Sequence, residues 1–169
     1  MGGHMSLYDD FLEQADHLAR RDPRRPKQAS LRRAISAAYY ALFHLLVKEA
    51  TAALVSDPKL RQLVPRSFDH SEMKQGCRPF AAGALPDHLK AITAPAVPTD
   101  LKKVAEEFIE MQQKRHAADY NVSQVFLRAD TVADIQRVRY AFEAWLRVRD
   151  QQIAVVFLVN LLLGSKWKR

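Results

Sequence analysis

Apolar residues recur along this chain at the three- and four-residue spacing of α-helices, and the alternation expected of strands between tight turns is not found. The first such stretch begins at about Ser6, a residue that commonly caps helices. It ends in "RRDPRRPK", because Pro23 and Pro26 cannot continue a helix interior. Its apolar stripe consists of Leu7, Phe11, Ala15 and Leu18. The pattern predicts an amphipathic helix that packs along this stripe.

A second, longer helix is predicted from about Lys27 to Ser56. Its core-facing stripe has helical spacing and consists of Leu31, Ile35, Ala38, Leu42 and Leu45. Beside it runs a polar row at a constant spacing of four residues, formed by Ser36, Tyr40 and His44. Residues at this spacing lie above one another on a helix, so we expect a line of polar groups next to the core.

A third helix is predicted to begin at Thr99 or Asp100, both suitable caps, and to end near Tyr120 or Asn121. Its inward positions are Leu101, Val104, Phe108 and Met111. The next inward step in this series falls on residue 115, which is an arginine. The apolar face is therefore predicted to end in a charged side chain.

The fourth helix is predicted to begin after Asp130 or Thr131 and can continue unbroken to Leu163. Its inward positions are Val132, Ile135, Val138, Phe142 and Trp145. From Ile153 onward it is apolar on nearly every side, and a monomer would expose part of that surface. We therefore expect a homodimer or a partner interface there; the alternative is that the middle of the chain covers it. The apolar run is too short for a transmembrane segment.

The segment between the second and third helices, residues 58–98, is the least regular. "RSFDHSEMKQGCRPF" predicts one short helix capped by Ser67 or Asp69. The path of residues 79–98 is not predicted, because this part contains Pro86, Pro95 and Pro98. Four main helices plus a short middle helix predict an all-α fold, an antiparallel up-and-down helical bundle.

Composition adds bounds on the class of protein. With 169 residues, of which 48% are hydrophobic, the chain suits a single domain over residues 6–169. We interpret residues 1–5, Met-Gly-Gly-His-Met, as a cloning scar. The absence of a charged-then-apolar leader favours a cytoplasmic protein. The single Cys77 and the lack of zinc spacing predict no disulfide and no metal, and no cofactor is predicted either.

The chain is basic, with a formal net charge of +7 and a pI of about 9.7. One basic set is formed by Arg20, Arg21, Arg24, Arg25, Lys27, Arg32 and Arg33, and a later one by Arg137, Arg139, Arg147, Arg149, Lys166, Lys168 and Arg169. Such concentration suits the phosphate backbone of a nucleic acid or a nucleotide, and it also suits a solvated helix surface and loop.

Arg115 is the residue on which the functional interpretation depends. A guanidinium has five donors and keeps its charge, so burial without partners costs several kcal/mol. Asp119, one turn further along the helix, is the expected partner. The pair could tie the third helix to the second, or it could hold Arg115 so that its charge meets a phosphate.

Three segments, "LRRAISAAYYALFHLLVKEA", "FDHSEMKQGCRPF" and "KRHAADYN", together resemble small single-domain proteins of the HEPN superfamily. The residues that carry the resemblance are Ser36, Tyr39, Tyr40, Ala41, Phe43 and His44, then Phe68, His70 and Ser71, then Arg115, Ala118, Asp119 and Tyr120. They occur in the family's order and span most of the chain. The resemblance implies a helical bundle that commonly dimerises.

The resemblance also implies functions. Many HEPN proteins are metal-independent endoribonucleases of toxin–antitoxin and other defence systems, often beside a nucleotidyltransferase-like partner. Their signature is an Arg, a polar residue and a closing His. Arg115 and His116 match the first two positions, whereas the third falls on Tyr120, Asn121 or Val122. Because tyrosine titrates near pH 10, it is a poor base at neutral pH.

Three hypotheses follow. The first is a noncatalytic, dimeric interaction domain that binds RNA, a nucleotide or a partner protein, with motif positions Arg115, His116 and Tyr120 and a cleft formed by Ser36, Tyr40, His44, His70, Asp119 and Asn121. The alternative is an active endoribonuclease in which His44, His70 or His116 replaces the missing histidine. A peripheral membrane protein that uses its apolar, Lys- and Trp-containing C-terminus is a third hypothesis.

Overall fold

The computed structural model describes residues 6–93 and 96–167. The interpreted scar at residues 1–5, Pro95 of the irregular segment, and Lys168 and Arg169 of the later basic set lie outside these residues. The α-helices are α1 (Leu7–Arg20), α2 (Gln28–Leu54), α3 (His70–Ala82), α4 (Asp87–Lys90), α5 (Thr99–Tyr120), α6 (Arg128–Val148) and α7 (Gln152–Leu163). Short 3-10 turns span Leu60–Gln62, Val64–Ser67 and Gly164–Lys166. The predicted all-α helical bundle class is confirmed.

The packing divides into two compact units, which are described separately. Unit 1 comprises Met1–Leu45 and Glu110–Tyr140, and unit 2 comprises Leu46–Ile109 and Ala141–Arg169. The long helices α2, α5 and α6 each contribute residues to both units. Within the described ranges, no helix is long and apolar enough to cross a membrane.

In unit 1, α1 begins with the predicted cap. Ser6 and Asp9 form a reciprocal capping box, with Ser6 Oγ accepting from the Asp9 N–H at 3.4 Å. The predicted stripe is wrong by about one position: Leu7 is 55% exposed, and the buried residues are Leu12, Ala15 and Ala19. The small alanines allow close helix approach, so they mark the centre of the contact, and Phe11 is half-buried at its edge.

The stripes predicted for α2 and α5 are confirmed, whereas only Ile135, Val138 and Trp145 of the stripe predicted for α6 are buried. On α2, the buried residues include Leu31, Ile35, Ala38, Leu42 and Leu45, and on α5 they include Leu101, Val104, Phe108 and Met111. α5 spans Thr99–Tyr120, within the predicted alternatives of Thr99 or Asp100 for its start and Tyr120 or Asn121 for its end. Strict helical spacing of large apolar residues was sufficient to locate both helices.

In unit 2, the predicted middle helix is α3. Asp69 caps it by accepting from the Ser71 and Glu72 N–H groups at 2.8 and 3.0 Å. It ends at Gly83, whose φ of 66° is the left-handed conformation that glycine adopts readily. The irregular segment that follows contains α4, and Leu85, Leu89 and Val97 anchor it in the core.

The C-terminal helix α7 packs against α3. The ring of Phe157 meets that of Phe80 edge-on at 5.0 Å, and both side chains are fully buried. Most of the apolar surface of this helix is buried within unit 2, in agreement with the alternative that the middle of the chain covers it, whereas Val155 and Leu163 remain exposed. The fourth predicted helix does not continue unbroken to Leu163, because Gln151 is extended (φ −84°, ψ 147°) and separates α6 from α7.

Candidate functional site

Arg115 lies on α5 in unit 1, and its side chain is only 17% exposed. Its Nη2 donates a hydrogen bond to Tyr40 Oη of α2 at 3.3 Å. The guanidinium carbon is 5.6 Å from the ring centroids of both Tyr39 and Tyr40, within cation–π distance. The predicted inward direction of Arg115 therefore agrees with the structure, and aromatic rings of α2 form the wall that it faces.

Asp119 is the carboxylate partner of Arg115, as its spacing predicts. Asp119 Oδ2 lies 3.3 Å from Arg115 Nε, and Asp119 Oδ1 accepts a hydrogen bond from Ser36 Oγ at 2.9 Å. Ser36 is buried, whereas the Asp119 side chain is 27% exposed. The Asp119 carboxylate thus links α5 to α2 and orients the Arg115 guanidinium.

His44 completes the polar row of α2 within an aromatic cluster. Its ring stacks on Phe11 at 5.3 Å with an interplanar angle of 1°, meets Phe43 edge-on at 5.3 Å, and lies 6.2 Å from Tyr40. Burial lowers the pKa of His44 from its usual 6.5, because the charged form loses hydration there. The imidazole is therefore neutral at pH 7, the form that can accept a proton.

The remaining motif residues of α5 face outward. His116 is exposed, and its ring lies 4.8 Å from that of Tyr120, which is 68% exposed. Asn121, also exposed, begins the loop after α5 and accepts from the Ser123 N–H through Oδ1 at 3.2 Å. Together they form a polar and aromatic surface at the end of α5. His70 is the half-buried first residue of α3 and belongs to unit 2.

Arg32 belongs to the basic set expected to contact phosphate, but its side chain donates hydrogen bonds to main-chain oxygens instead. It donates to the carbonyls of Ala118, Asn121 and Gln124 at 2.8, 2.9 and 2.6 Å. Its guanidinium also lies 5.1 Å from the ring centroid of Phe126. Arg32 is thus a cap for the C-terminus of α5, a role that only a long-range contact reveals.

The other members of the first basic set are exposed: Arg20, Arg21, Arg24, Arg25, Lys27 and Arg33. The turn that carries several of them is anchored by Asp22, which accepts from Ser30 Oγ at 2.8 Å. Arg128 of α6 also donates to the main-chain oxygens of Asp22 and Pro23. The arginines therefore project from an ordered turn.

A second charged cluster in unit 1 was not singled out from the sequence. Lys114 Nζ lies 2.6 Å from the buried Asp134 carboxylate and 3.0 Å from Glu110, and Arg137 pairs with both acids. Burial opposes the charge of Lys114, but its hydrogen bonds to Asp134 and Glu110 outweigh this and raise its pKa. A cavity of about 230 Å³ lies beside the cluster. The i, i+4 spacing of Glu110 and Lys114 could have indicated one pair, but not the whole cluster.

Within the described ranges, no group of three or more His, Cys, Asp or Glu side chains is arranged to hold a metal ion. No family model matches the chain, and no significant match is found among curated proteins or solved structures.

Proposed function

We propose that this protein is a HEPN-like helical interaction domain in which Arg115 binds a phosphate group of RNA or of a nucleotide, without cleaving it. The observation that carries the proposal is the hydrogen bonding of the Arg115 guanidinium. Tyr40 and Asp119 hold it, yet among the described residues its Nη1 donates no hydrogen bond. A guanidinium that is fixed in position and keeps N–H donors without partners can donate hydrogen bonds to a phosphate oxygen.

The arrangement around Arg115 favours binding over cleavage. Metal-independent cleavage of RNA needs groups that transfer protons at neutral pH. The positions at which the family signature expects histidine hold Tyr120, Asn121 and Val122, and Tyr120 is an exposed side chain that contacts His116. No hydrogen bond joins Arg115 to an imidazole in the described part of the chain. A bound phosphate would therefore lack the usual proton donor.

His44 supports the alternative, a metal-independent endoribonuclease with a displaced histidine. The Tyr40 ring lies 6.2 Å from that of His44, and the Tyr40 hydroxyl accepts from Arg115. Burial lowers the pKa of His44, so its neutral form can act as a base at pH 7. Tyr40 would then separate the phosphate-binding arginine from the proton acceptor.

The wider setting that we propose follows the family resemblance: a cytoplasmic homodimer in a defence or toxin–antitoxin system, with RNA, a nucleotide or a nucleotidyltransferase-like protein as partner. Exposed apolar side chains in unit 1 support a protein contact. Val122, Val125 and Leu127, in the loop between α5 and α6, are 88%, 70% and 58% exposed. Such a group is typical of an interface.

The test is incubation of a mixed structured and single-stranded RNA pool in EDTA with wild type, Arg115→Ala and Arg78→Ala, with binding recorded on the same samples. Arg78 is exposed on α3, so Arg78→Ala is a control that removes the same charge outside unit 1. We expect binding without cleavage, lost in Arg115→Ala and kept in Arg78→Ala. Cleavage lost in Arg115→Ala and His44→Phe would establish the endoribonuclease instead. Equal binding by both arginine variants would refute a role for Arg115.

A further inference from the structure

The chain that connects α5 to α6 is fastened to the start of α2 within unit 1. The N–H of Phe126 donates to Gln28 Oε1 at 2.9 Å, and the carbonyl of Phe126 accepts from Gln28 Nε2 at 2.8 Å. Both main-chain groups of Phe126 thus point to the same side, as they do in an extended chain that pairs with a strand. The carbonyl of Gln124 is bound on this side too, by Arg32 at 2.6 Å. Residues 124–127 are therefore held as a short extended segment.

The side chains of this segment alternate between two faces. Phe126 is buried, and the Arg32 guanidinium lies 5.1 Å from its ring centroid. Val125 and Leu127, on either side of Phe126, are exposed. Successive side chains of an extended chain point to opposite faces, so the alternation agrees with the pairing of Phe126. The segment therefore has one face in the core and one apolar face toward solvent.

The second edge of the segment is not paired. In an extended chain the main-chain groups of neighbouring residues point to opposite edges, so those of Val125 and Leu127 point away from Gln28. Among the described residues, the N–H groups of Val125 and Leu127 and the carbonyl of Val125 form no hydrogen bond, whereas the Leu127 carbonyl accepts from the Thr131 N–H at 3.0 Å. Unpaired main-chain groups of folded proteins are in contact with water. This edge can therefore pair with a further strand.

Exposed cations lie close to this edge. Arg128, the residue after Leu127, donates to the main-chain oxygen of Pro23 at 2.7 Å, so the turn after α1 lies against the segment. Arg24 and Arg25 follow Pro23 in that turn and are exposed, and within the described ranges neither forms an ion pair. Carboxylates on a ligand of the edge would complement their charge.

A cavity of about 230 Å³ lies beside the segment, and Val125 and Leu127 form part of its lining. The charged side chains on the other side of the cavity, Lys114, Asp134 and Arg137, are paired with one another. The part of the lining that remains without a partner is therefore apolar. A cavity of about 150 Å³ holds one benzene ring, so this one has room for an apolar side chain of a strand at the edge.

We propose that residues 124–127 are a docking edge for an extended segment of a partner protein, one in which alternating apolar side chains are flanked by carboxylates. The main chain of this segment pairs with Val125 and Leu127, one of its apolar side chains enters the cavity, and its carboxylates meet Arg24 and Arg25. The inference rests on the protein contact proposed above, but not on the phosphate site. Because RNA is expected at the same turn, the segment and RNA should compete.

The experiment is titration of the ¹⁵N-labelled full chain with a synthetic peptide of alternating valine and threonine that carries two glutamates at each end. Hydrogen exchange followed by NMR reports on each main-chain N–H. We expect the peptide to slow exchange at Val125 and Leu127, and to change little at Phe126, whose N–H is already bonded. A peptide with lysines in place of the glutamates should bind about tenfold more weakly.

Three outcomes would overturn the proposal. The first is no binding, and the second is equal binding of the two peptides. The third is binding that leaves exchange at Val125 and Leu127 unchanged, because the peptide would then not pair with the edge. Slow exchange at both positions in the free chain, increasing with its concentration, would assign the edge to a second copy instead.

Two variants of one residue separate the main chain from the side chain. Leu127→Pro removes the N–H at the edge and favours an extended Phe126, whereas Leu127→Ala keeps the N–H. The proline variant should therefore bind the glutamate peptide about tenfold more weakly than the alanine variant. Circular dichroism verifies folding, and the comparison of the two peptides on wild type stands if a variant does not fold. Equal binding by the two folded variants would contradict the pairing.

Arg115→Ala distinguishes this proposal from the phosphate site. It should lose RNA binding and keep peptide binding, whereas Leu127→Pro should lose peptide binding and keep RNA binding. Peptide binding by a wild type that binds no RNA would support the docking edge alone. RNA binding by a wild type that does not bind the peptide would overturn the docking edge alone.

Discussion

Arg32 Nη2 donates a hydrogen bond of 2.6 Å to the main-chain oxygen of Gln124, which lies 92 residues further along the chain. The same side chain reaches the oxygens of Ala118 and Asn121. The last carbonyls of a helix have no partner within it, and a cation near them is favourable. Arg32 therefore holds the end of α5 and the following loop, next to Asp119.

Arg32→Ala should lower the free energy of unfolding by about 1.5 to 3 kcal/mol, the usual range for hydrogen bonds to a charged group. Urea denaturation measures this. Arg33→Ala is the matched control, because Arg33 is the exposed neighbour with the same charge. The control should change stability by less than about 0.5 kcal/mol. Similar losses in both variants would contradict the capping role of Arg32.

Arg115→Ala should lower the free energy of unfolding by about 1 to 2 kcal/mol, since it removes the bond to Tyr40 and the ion pair with Asp119. The loss stays below that for breaking a fully buried ion pair, because Asp119 is 27% exposed and keeps its bond from Ser36. Urea denaturation measures this loss. The same measurement on Tyr40→Phe, which lacks the hydroxyl, gives the part that comes from the hydrogen bond to Tyr40. Wild-type stability in Arg115→Ala would mean that the contacts contribute nothing.

The pKa of His44 is lower in the folded protein than its ordinary 6.5, and the cause is burial. The unfolded chain therefore binds more protons than the folded one as pH falls through 6.5, so stability is lost toward acid. We expect His44→Phe to reduce the loss between about pH 7.5 and about pH 5.5. Denaturant titrations at both pH values measure the difference. An equal loss in wild type and variant would exclude His44 as the cause.

The buried surface of α7 leads to a prediction about the core of unit 2. Phe157 is fully buried against Phe80 and Trp145, so Phe157→Ala should cost about 3 to 5 kcal/mol. Val155, exposed on the same helix, is the control, and Val155→Asp should change stability by less than about 0.5 kcal/mol. Sedimentation of Val155→Asp should match wild type; a change in its oligomeric state would place an interface on α7 after all.

The sequence was most informative where a helix carries large apolar residues at strict spacing. The stripe from Leu31 to Leu45 and the bounds Thr99–Tyr120 were predicted because local periodicity determines which residues can share a buried face. Asp69 was one of two predicted caps, with Ser67, because a side chain that accepts from the first N–H groups of a helix is also a local feature. The stripe of α1 was misplaced because alanines, which carry little hydrophobic weight, mark its contact face.

The site was predictable only in its local part. The pair Arg115–Asp119 lies within one helical turn, so its spacing indicated it. The bond from Ser36 to Asp119, the aromatic neighbours of His44 and the capping role of Arg32 join residues far apart in the chain. Such contacts depend on how the helices pack, and no periodicity in one segment encodes them. In the sequence alone, Arg32 therefore could not be distinguished from the exposed arginines of the same basic set.

Because Arg32 caps α5, the prediction for RNA binding concerns only the exposed arginines of the first basic set. Each phosphate contact with single-stranded nucleic acid contributes about 0.7 to the slope of log affinity against log salt concentration. Replacing the exposed Arg21, Arg24 and Arg25 with Ala should therefore reduce the magnitude of this slope by about 2, if all three contact phosphates. The matched control replaces three exposed cations of unit 2, Lys59, Arg66 and Arg78. Binding of one RNA measured across a salt series gives both slopes. Equal reductions in the two triple variants would show that net charge, rather than the basic turn after α1, attracts the RNA.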